Sequence, residues 1–332
     1  MKRVAVLGAG GMGTALALLF AKGGAQVRLW ARDPDRAARM ATTRENTLHL
    51  PGIHLPKEIE VTERAEHAVD SAELALVAIP TSYLRATLGL MAAGFPAELP
   101  VLSVVKGIEN QSFSRPSQII TEVLGPRSVS VLSGPSHAEE LAKGLPASVV
   151  IGGRDEALNV RVQDVLNQGM FRVCTNPDAL GVELAGALKN IRGIAAGVCD
   201  GLGLGDNAKS ALLTRGLAEI TRFGVSLGAA PETFFGLAGV GDVITTCFSP
   251  FGRNRQVGDR IGRGERLVDV LASMVNVAEG VPTTRSVHGL AASRGVEVPI
   301  TTELHAILFE DKPPRDALLS LMDRMPKPEW IS

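Results

Sequence analysis

Short apolar runs alternate with helix-length amphipathic stretches along the first half of the chain. "VAVLG" (4–8), "QVRLW" (26–30), "LALVAIP" (74–80), "VLSVVKG" (101–107), "VSVLSGP" (129–135), "ASVVIGG" (147–153) and "FRVCTN" (171–176) each read as a buried strand. Between the first two, "TALALLFAKGG" (14–24) predicts a helix that stops at its glycines. Continuous apolar strands separated by helices predict a parallel-dominated sheet covered on both faces. The strand signal disappears after Pro177. From 206, "DNAKSALLTRGLAEITRFGVSLG" opens on Asp206 as a predicted N-cap and ends at Gly228. Leu213, Leu217, Ile220, Gly224 and Leu227 fall there at helical spacing. The remainder, to "DALLSLMDR" (316–324), also carries a helical pattern. The prediction is therefore an α/β fold: an N-terminal α/β domain with a parallel-dominated sheet over 1–177, then an all-α domain over 178–332.

Composition narrows the partners. A chain of 332 residues, 45% hydrophobic, can build two cores. Its net charge of -1, without a polybasic block or acidic tail, argues against nucleic-acid and membrane partners. Aromatic residues make up only 4%, too few for base-stacking platforms. A compact anionic small molecule needs only a local basic pocket. Cys174, Cys199 and Cys247 are scattered, which predicts reduced thiols and a cytoplasmic setting. "MKRVAVLGAGGMG" turns glycine-rich too early for a signal peptide or a membrane span. None of the six histidines pairs with another at metal-ligand spacing, so no metal is expected.

The chemistry sits in a few motifs. "VAVLGAGGMGTALA" contains Gly8-x-Gly10-x-x-Gly13 after a predicted strand and at the start of a predicted helix. In that context Gly8 permits the tight turn, Gly10 lets backbone approach a diphosphate, and Gly13 allows close packing of helix on strand. The helix N-terminus then offers free N–H groups to phosphate. The second strand ends in "LWARDPDR". Arg32 at that place suits the 2′-phosphate of NADP, or stacks on adenine in either cofactor. Asp33 either binds ribose hydroxyls or caps the next helix. NADPH use is expected, with NADH also open.

Lys106, in "SVVKGIEN", leaves a strand at its carboxyl end, the edge where ligands of open α/β sheets gather. An ordinary surface lysine fits the same place. In "LSGPSHAEELAKGLPA" (132–147), Ser133, Gly134, Pro135 and Ser136 make a turn leading to Ala138 and Glu139. That turn either caps a helix or presents donors to a ligand; His137 reads as structural. "GVELAGALKNIRGIAAG" (181–197) sets Lys189 and Asn190 among small residues, which leaves the lysine either facing solvent or held for chemistry. "GLAGVGDVITTCFSPFGRNRQVG" (236–258) reads as an irregular segment carrying Asp242, Thr245, Thr246, Arg253, Asn254 and Arg255. A guanidinium fork there matches a phosphate.

Together, "GAGGMGTALA", "NTLHLPGIHLP", "KGIE", "LSGPSHAEELAKGLPA", "GVELAGALKN", "DGLGLGDNAKSALLTRGLAE", "PETFFGLAGVGD", "TTCFSPFGRNRQVG" and "VAEGVPTT" closely resemble the bacterial NAD(P)-dependent glycerol-3-phosphate dehydrogenases. The resemblance spans nearly the whole chain. It implies a Rossmann domain and a helical domain with the site in their cleft. It also implies a cytoplasmic homodimer reducing dihydroxyacetone phosphate to sn-glycerol 3-phosphate, with NADP or NAD, for phospholipid synthesis. By the family's motifs Lys189 is the catalytic acid/base. Lys106 contacts substrate near the nicotinamide, and Asp242 is the acidic partner in the catalytic centre. Gly134, Ser136, Asn190 and Thr246 are implied to surround the substrate, and Arg253 and Asn254 to hold its phosphate. The cofactor set so implied is Gly8, Gly10, Gly11, Met12, Gly13, Arg32, Lys106, Ala138, Arg253, Val277 and Glu279. Met12 stands where the family often has tryptophan, His49 where tyrosine is common, and Gly252 where serine is usual.

Overall fold

The computed structural model describes residues 1–274, 277–326 and 328–329, so 330–332, the end of the expected second domain, lie outside the described residues. Among the described residues ten strands form: β1 (Arg3–Leu7), β2 (Gln26–Trp30), β3 (Glu45–Asn46), β4 (Leu50–His54), β5 (Ile59–Thr62), β6 (Leu74–Val77), β7 (Val101–Ser103), β8 (Val129–Ser133), β9 (Ala147–Gly152) and β10 (Phe171–Asn176). Eight of them make one sheet in the order β10-β9-β8-β7-β6-β1-β2-β5, and β3 and β4 form a separate antiparallel pair. In register, Val4 lies between Val27 of β2 and Leu74 of β6. The α/β fold expected from the pattern of apolar runs is present.

Four details differ from the sequence reading. β9 runs antiparallel to β8. The chain turns back at Gly134 and carries only the five-residue helix Ala138–Ala142 before re-entering the sheet. The runs at 74–80 and 101–107 leave the ladder at Val77 and Ser103, so Lys106 stands in the loop beyond the carboxyl end of β7. The helix expected to be capped by Asp206 starts two residues early, as Gly205–Ser226, with Leu204 in the cap position and Asp206 in the first turn. Leu204 already has helical dihedrals, which removes the extended backbone that a capping side chain needs. Finally, 236–258 is mostly helical. A 3₁₀ turn (Pro231–Phe235) and a π turn (Leu237–Gly241) feed the helices Asp242–Phe248 and Arg253–Gly262. Its glycines serve close packing: a Cβ at Gly239 would stand 1.9 Å from the Phe234 carbonyl oxygen.

Three cores hold the molecule. On one face of the sheet, Leu16 and Phe20 of the helix Gly11–Lys22 pack with Val162 and Leu166 of the helix Glu156–Leu166. On the other, Leu84, Leu88, Ile119 and Ile120 are fully buried. Each such side chain contributes about 1.5–3 kcal/mol by leaving water. The third core forms around the helix Ala179–Gly201, through Leu184, Leu188, Ile191 and Ile194. Asp178 caps that helix at Gly181 N (2.9 Å) and also accepts from Ala230 N (2.9 Å) and Thr233 Oγ1 (2.8 Å). One carboxylate thus ties the start of the long helix to a later segment.

The small residues after Lys189 have a direct purpose. The helix Arg253–Gly262 lies backbone to backbone on the helix Ala179–Gly201. A Cβ at Gly197 would stand 2.0 Å from the Arg255 carbonyl oxygen, and one at Gly258 would stand 1.9 Å from that of Ile194. Among the described residues, no helix is long and apolar enough to cross a membrane.

Candidate active site

The glycine turn is built to receive a diphosphate. Gly8 has φ +118°, and a Cβ there would stand 2.7 Å from the Ala78 carbonyl oxygen. A Cβ at Gly13 would stand 1.9 Å from the Gly8 carbonyl oxygen, so only glycine lets helix and strand come this close. A Cβ at Gly10 would meet nothing within 4 Å, and no side chain caps the helix Gly11–Lys22 that follows. Open space over uncapped N–H groups fits the phosphates of NAD(P). Ala138 and the His49 carbonyl close over Gly11, lying 3.5 Å and 3.1 Å from the place of its Cβ. Met12 is half-buried against the sheet core.

At the end of β2, Arg32 is exposed, with its guanidinium carbon 5.9 Å from the centre of the Tyr83 ring. Asp33 takes the capping role: its Oδ1 accepts from Arg36 N at 2.8 Å and starts the helix Pro34–Thr43. Two residues over the glycine turn escaped the sequence reading. Asn46 Nδ2 donates to Ala9 O (2.9 Å) and Thr14 Oγ1 (2.8 Å), and Arg36 Nη2 also donates to Ala9 O. Asn46 opens "NTLHLPGIHLP" and Arg36 ends "LWARDPDR", but neither motif gives the residue a role, because only the fold brings them to Ala9.

A second cluster lies beyond β7, two strand places past β1 in the sheet order. Asp242 is its centre, buried at 2% side-chain exposure. Its Oδ2 accepts from Lys106 Nζ at 2.6 Å, and its Oδ1 lies 3.1 Å from Lys189 Nζ. Lys189 Nζ also donates to Thr246 Oγ1 (2.6 Å), and Lys106 Nζ to the Gly134 carbonyl (3.2 Å). Ser136 Oγ donates to the same carbonyl at 2.9 Å. Asn190 Nδ2 donates to Lys106 O (3.2 Å) and Asn254 Nδ2 to Asn190 Oδ1 (2.9 Å), while Asn254 Oδ1 accepts from Gly280 N (2.9 Å). Arg253 is exposed beside this chain of bonds, with Nη1 donating to Val277 O at 3.1 Å. Glu279 reaches back to the start of the helix Thr81–Met91: its Oε1 accepts from Thr81 N at 3.0 Å, and its Oε2 is buried with no hydrogen-bond partner among the described residues.

Burial pushes the Lys189 ammonium down to about 8; Asp242 opposes that and Lys106 adds to it. Burial resists ionisation of Asp242 as well, yet the two lysines hold it below the usual carboxylate range. Burial raises the Glu279 carboxyl to about 7, against the pull of Thr81 N and Arg253. Burial and Lys189 both lower His137, keeping it neutral near pH 7. Two lysines on one carboxylate leave an uncompensated positive charge in a desolvated place. A buried ion cluster of this kind is a poor source of stability and a good receptor for an anion.

A doubly covered α/β sheet with such a glycine turn, and a lysine pair fixed on one carboxylate at its carboxyl edge, is the frame of a nicotinamide-dependent dehydrogenase. Residues 3–159 match the family model described as NAD-dependent glycerol-3-phosphate dehydrogenase N-terminus, and 178–319 match the corresponding C-terminus. The chain is 45% identical over 330 residues to a glycerol-3-phosphate dehydrogenase [NAD(P)+] of Chlorobium phaeobacteroides (strain BS1), covering 98% of this chain and 99% of the relative. It is 46% identical over 332 residues to one of Geobacillus thermodenitrificans (strain NG80-2), covering 99% and 97%. A crystal structure of glycerol-3-phosphate dehydrogenase from Coxiella burnetii superposes with a TM-score of 0.94 at 34% identity, covering 97% of this chain and 99% of that one. The chain belongs to the NAD-dependent glycerol-3-phosphate dehydrogenase family.

Proposed function

We propose that this chain reduces dihydroxyacetone phosphate to sn-glycerol 3-phosphate, reversibly, and so supplies glycerophospholipid synthesis in the cytoplasm. The observation that carries the mechanism is Lys189, largely buried and held 3.1 Å from Asp242 with its ammonium pushed down to about 8. When bound, NAD(P)H supplies the hydride. Gly8, Gly10, Gly11, Met12, Gly13, Arg32 and Ala138 form its dinucleotide cradle, and Lys106, Arg253, Val277 and Glu279 complete the nicotinamide side.

As the ketone carbon is reduced, negative charge grows on its oxygen. The Lys189 ammonium stabilises that charge and donates the proton; in the reverse direction the neutral amine removes it. Asp242 orients both lysines and keeps Lys189 protonated enough to act. Lys106 contributes a second positive charge, with Gly134, Ser136, Asn190 and Thr246 around the substrate. Arg253 and Asn254 bind the phosphate at the start of the helix Arg253–Gly262, where the dipole adds to the guanidinium.

We place the domain boundary at 177, so that 1–177 binds the dinucleotide, and 178–332 binds substrate and dimerises. The last strand ends at Asn176 and the long helix starts at Ala179. A homodimer is supported by exposed apolar side chains on the helical half, Val225, Phe235, Ile244 and Phe248. The test follows NADPH and NADH oxidation with dihydroxyacetone phosphate, using dihydroxyacetone as the phosphate-free control. Turnover confined to the phosphorylated ketone is expected; no turnover with it overturns the reading.

A further inference from the structure

Arg36 does not behave as a surface residue of a short helix. It lies in the first turn of the helix Pro34–Thr43, one turn after β2. Its side chain runs back over the glycine turn, where Nη2 donates to the Ala9 carbonyl. Its Nε is buried and has no acceptor among the described residues. Burial lowers its pKa; Asp33 raises it, and Arg39 adds to the lowering. A guanidinium with an unsatisfied, desolvated donor is costly to keep unless something else comes to accept from it.

The place of Arg36 in the fold says what that partner is. β1 has β2 on one side and β6 on the other. In doubly wound sheets the adenosine ribose lies over the β2 side, and the residues just after that strand meet its 2′ position. Arg32 lies over the Tyr83 ring, and Asp33 is spent on capping. The cation that reaches the turn itself is therefore Arg36. We propose that Arg36 is a specificity-determining residue that pairs with the 2′-phosphate of NADP, with Ala9 O holding one nitrogen of its fork while the remaining N–H groups face the phosphate. Arg32 then covers the adenine edge and adds a longer-range positive charge. The inference rests on the dinucleotide-binding reading of the glycine turn, which supplies the phosphate to be read.

The test uses two fragments that carry only the adenosine half, 2′,5′-ADP and 5′-AMP, with binding measured by calorimetry on the full-length protein. Wild type is expected to bind 2′,5′-ADP the more tightly. Arg36→Gln keeps a donor for Ala9 O and removes the charge; it should weaken 2′,5′-ADP by about tenfold or more. Binding of 5′-AMP should change by less than about twofold, because it lacks the group that the charge reads. The salt dependence of 2′,5′-ADP binding should also flatten in this variant. Arg36→Lys, which keeps the charge without the fork, should retain part of the preference, and it stands in should Arg36→Gln fold poorly. An equal loss of both fragments makes Arg36 a prop for the glycine turn and overturns the proposal, as does no loss of either. So does Arg36→Lys losing as much as Arg36→Gln. If wild type binds neither fragment, the dinucleotide reading itself fails.

Discussion

Burial pushes the Lys189 ammonium down to about 8 while Asp242 pulls against it, so the group changes charge within the working range of an enzyme. If Lys189 is the acid, kcat/KM for reduction falls as pH rises through about 8, because the proton to be donated is gone. The oxidative direction needs the neutral amine, and its kcat/KM rises through the same interval. Profiles measured in both directions check the sign; parallel profiles contradict the role. Lys189→Ala should lower kcat by about 10² or more with little change in cofactor affinity. Arg253→Ala should weaken dihydroxyacetone phosphate by about tenfold to a hundredfold, since a hydrogen bond to a charged group contributes about 1.5–3 kcal/mol. The low rate with unphosphorylated dihydroxyacetone should be spared, and equal losses on both would remove the phosphate role. Arg32→Ala should raise the KM for NADPH more than that for NADH, with kcat/KM for both cofactors as the readout; its exposure keeps the expected effect near 1 kcal/mol.

At the scale of elements, the proposed site is carried by two helices whose backbones touch. The helix Ala179–Gly201 carries Lys189 and Asn190, and the helix Arg253–Gly262 carries Arg253 and Asn254. Their spacing is set by Gly197 and Gly258, where a Cβ would stand 2.0 Å and 1.9 Å from opposing carbonyl oxygens. Gly197→Ala gains about 1 kcal/mol of helix propensity. The forced separation costs about 1–3 kcal/mol and cannot be relieved by rotating a side chain, because the obstacle is backbone. The expected result is a lower midpoint in urea, together with a raised KM for dihydroxyacetone phosphate as Arg253 moves away from Lys189. A variant as stable and as active as wild type would show that the helices can part without consequence.

At the scale of the molecule, Glu279 binds the helical half to the first half of the chain, accepting from Thr81 N at the start of the helix Thr81–Met91 at 3.0 Å across a separation of 198 residues. If Glu279 lies on the nicotinamide side as proposed, cofactor binding and the relative position of the two halves are linked through it. The helical half also exposes Phe235 and Ile244, apolar surface of the kind a partner subunit covers. Light scattering should give twice the 34.9 kDa chain mass. A fully active monomer at micromolar concentration would refute the dimer.

Local pattern was enough for some of this. β2 was readable at both ends because its five residues alternate no further than the strand itself, and the glycine turn was readable because strand, turn and helix are contiguous. β5 was not: "IEVT" is four residues with Glu60 exposed in the middle, too short and too polar to stand out. The segment 236–258 looked irregular because glycine marks loops by composition, whereas here it marks close helix contacts. The residue types of the site were legible in their motifs, but their partnerships were not. Lys106 and Asp242 are 136 residues apart in the chain and 2.6 Å apart in space. Which carboxylate meets which lysine, how dry the place is, and therefore how far Lys189 titrates, follow from the packing of helices and sheet. Periodicity and turn chemistry act over a few residues and so are written in the sequence directly, while desolvation and charge pairing depend on every neighbour at once and exist only after the chain has folded.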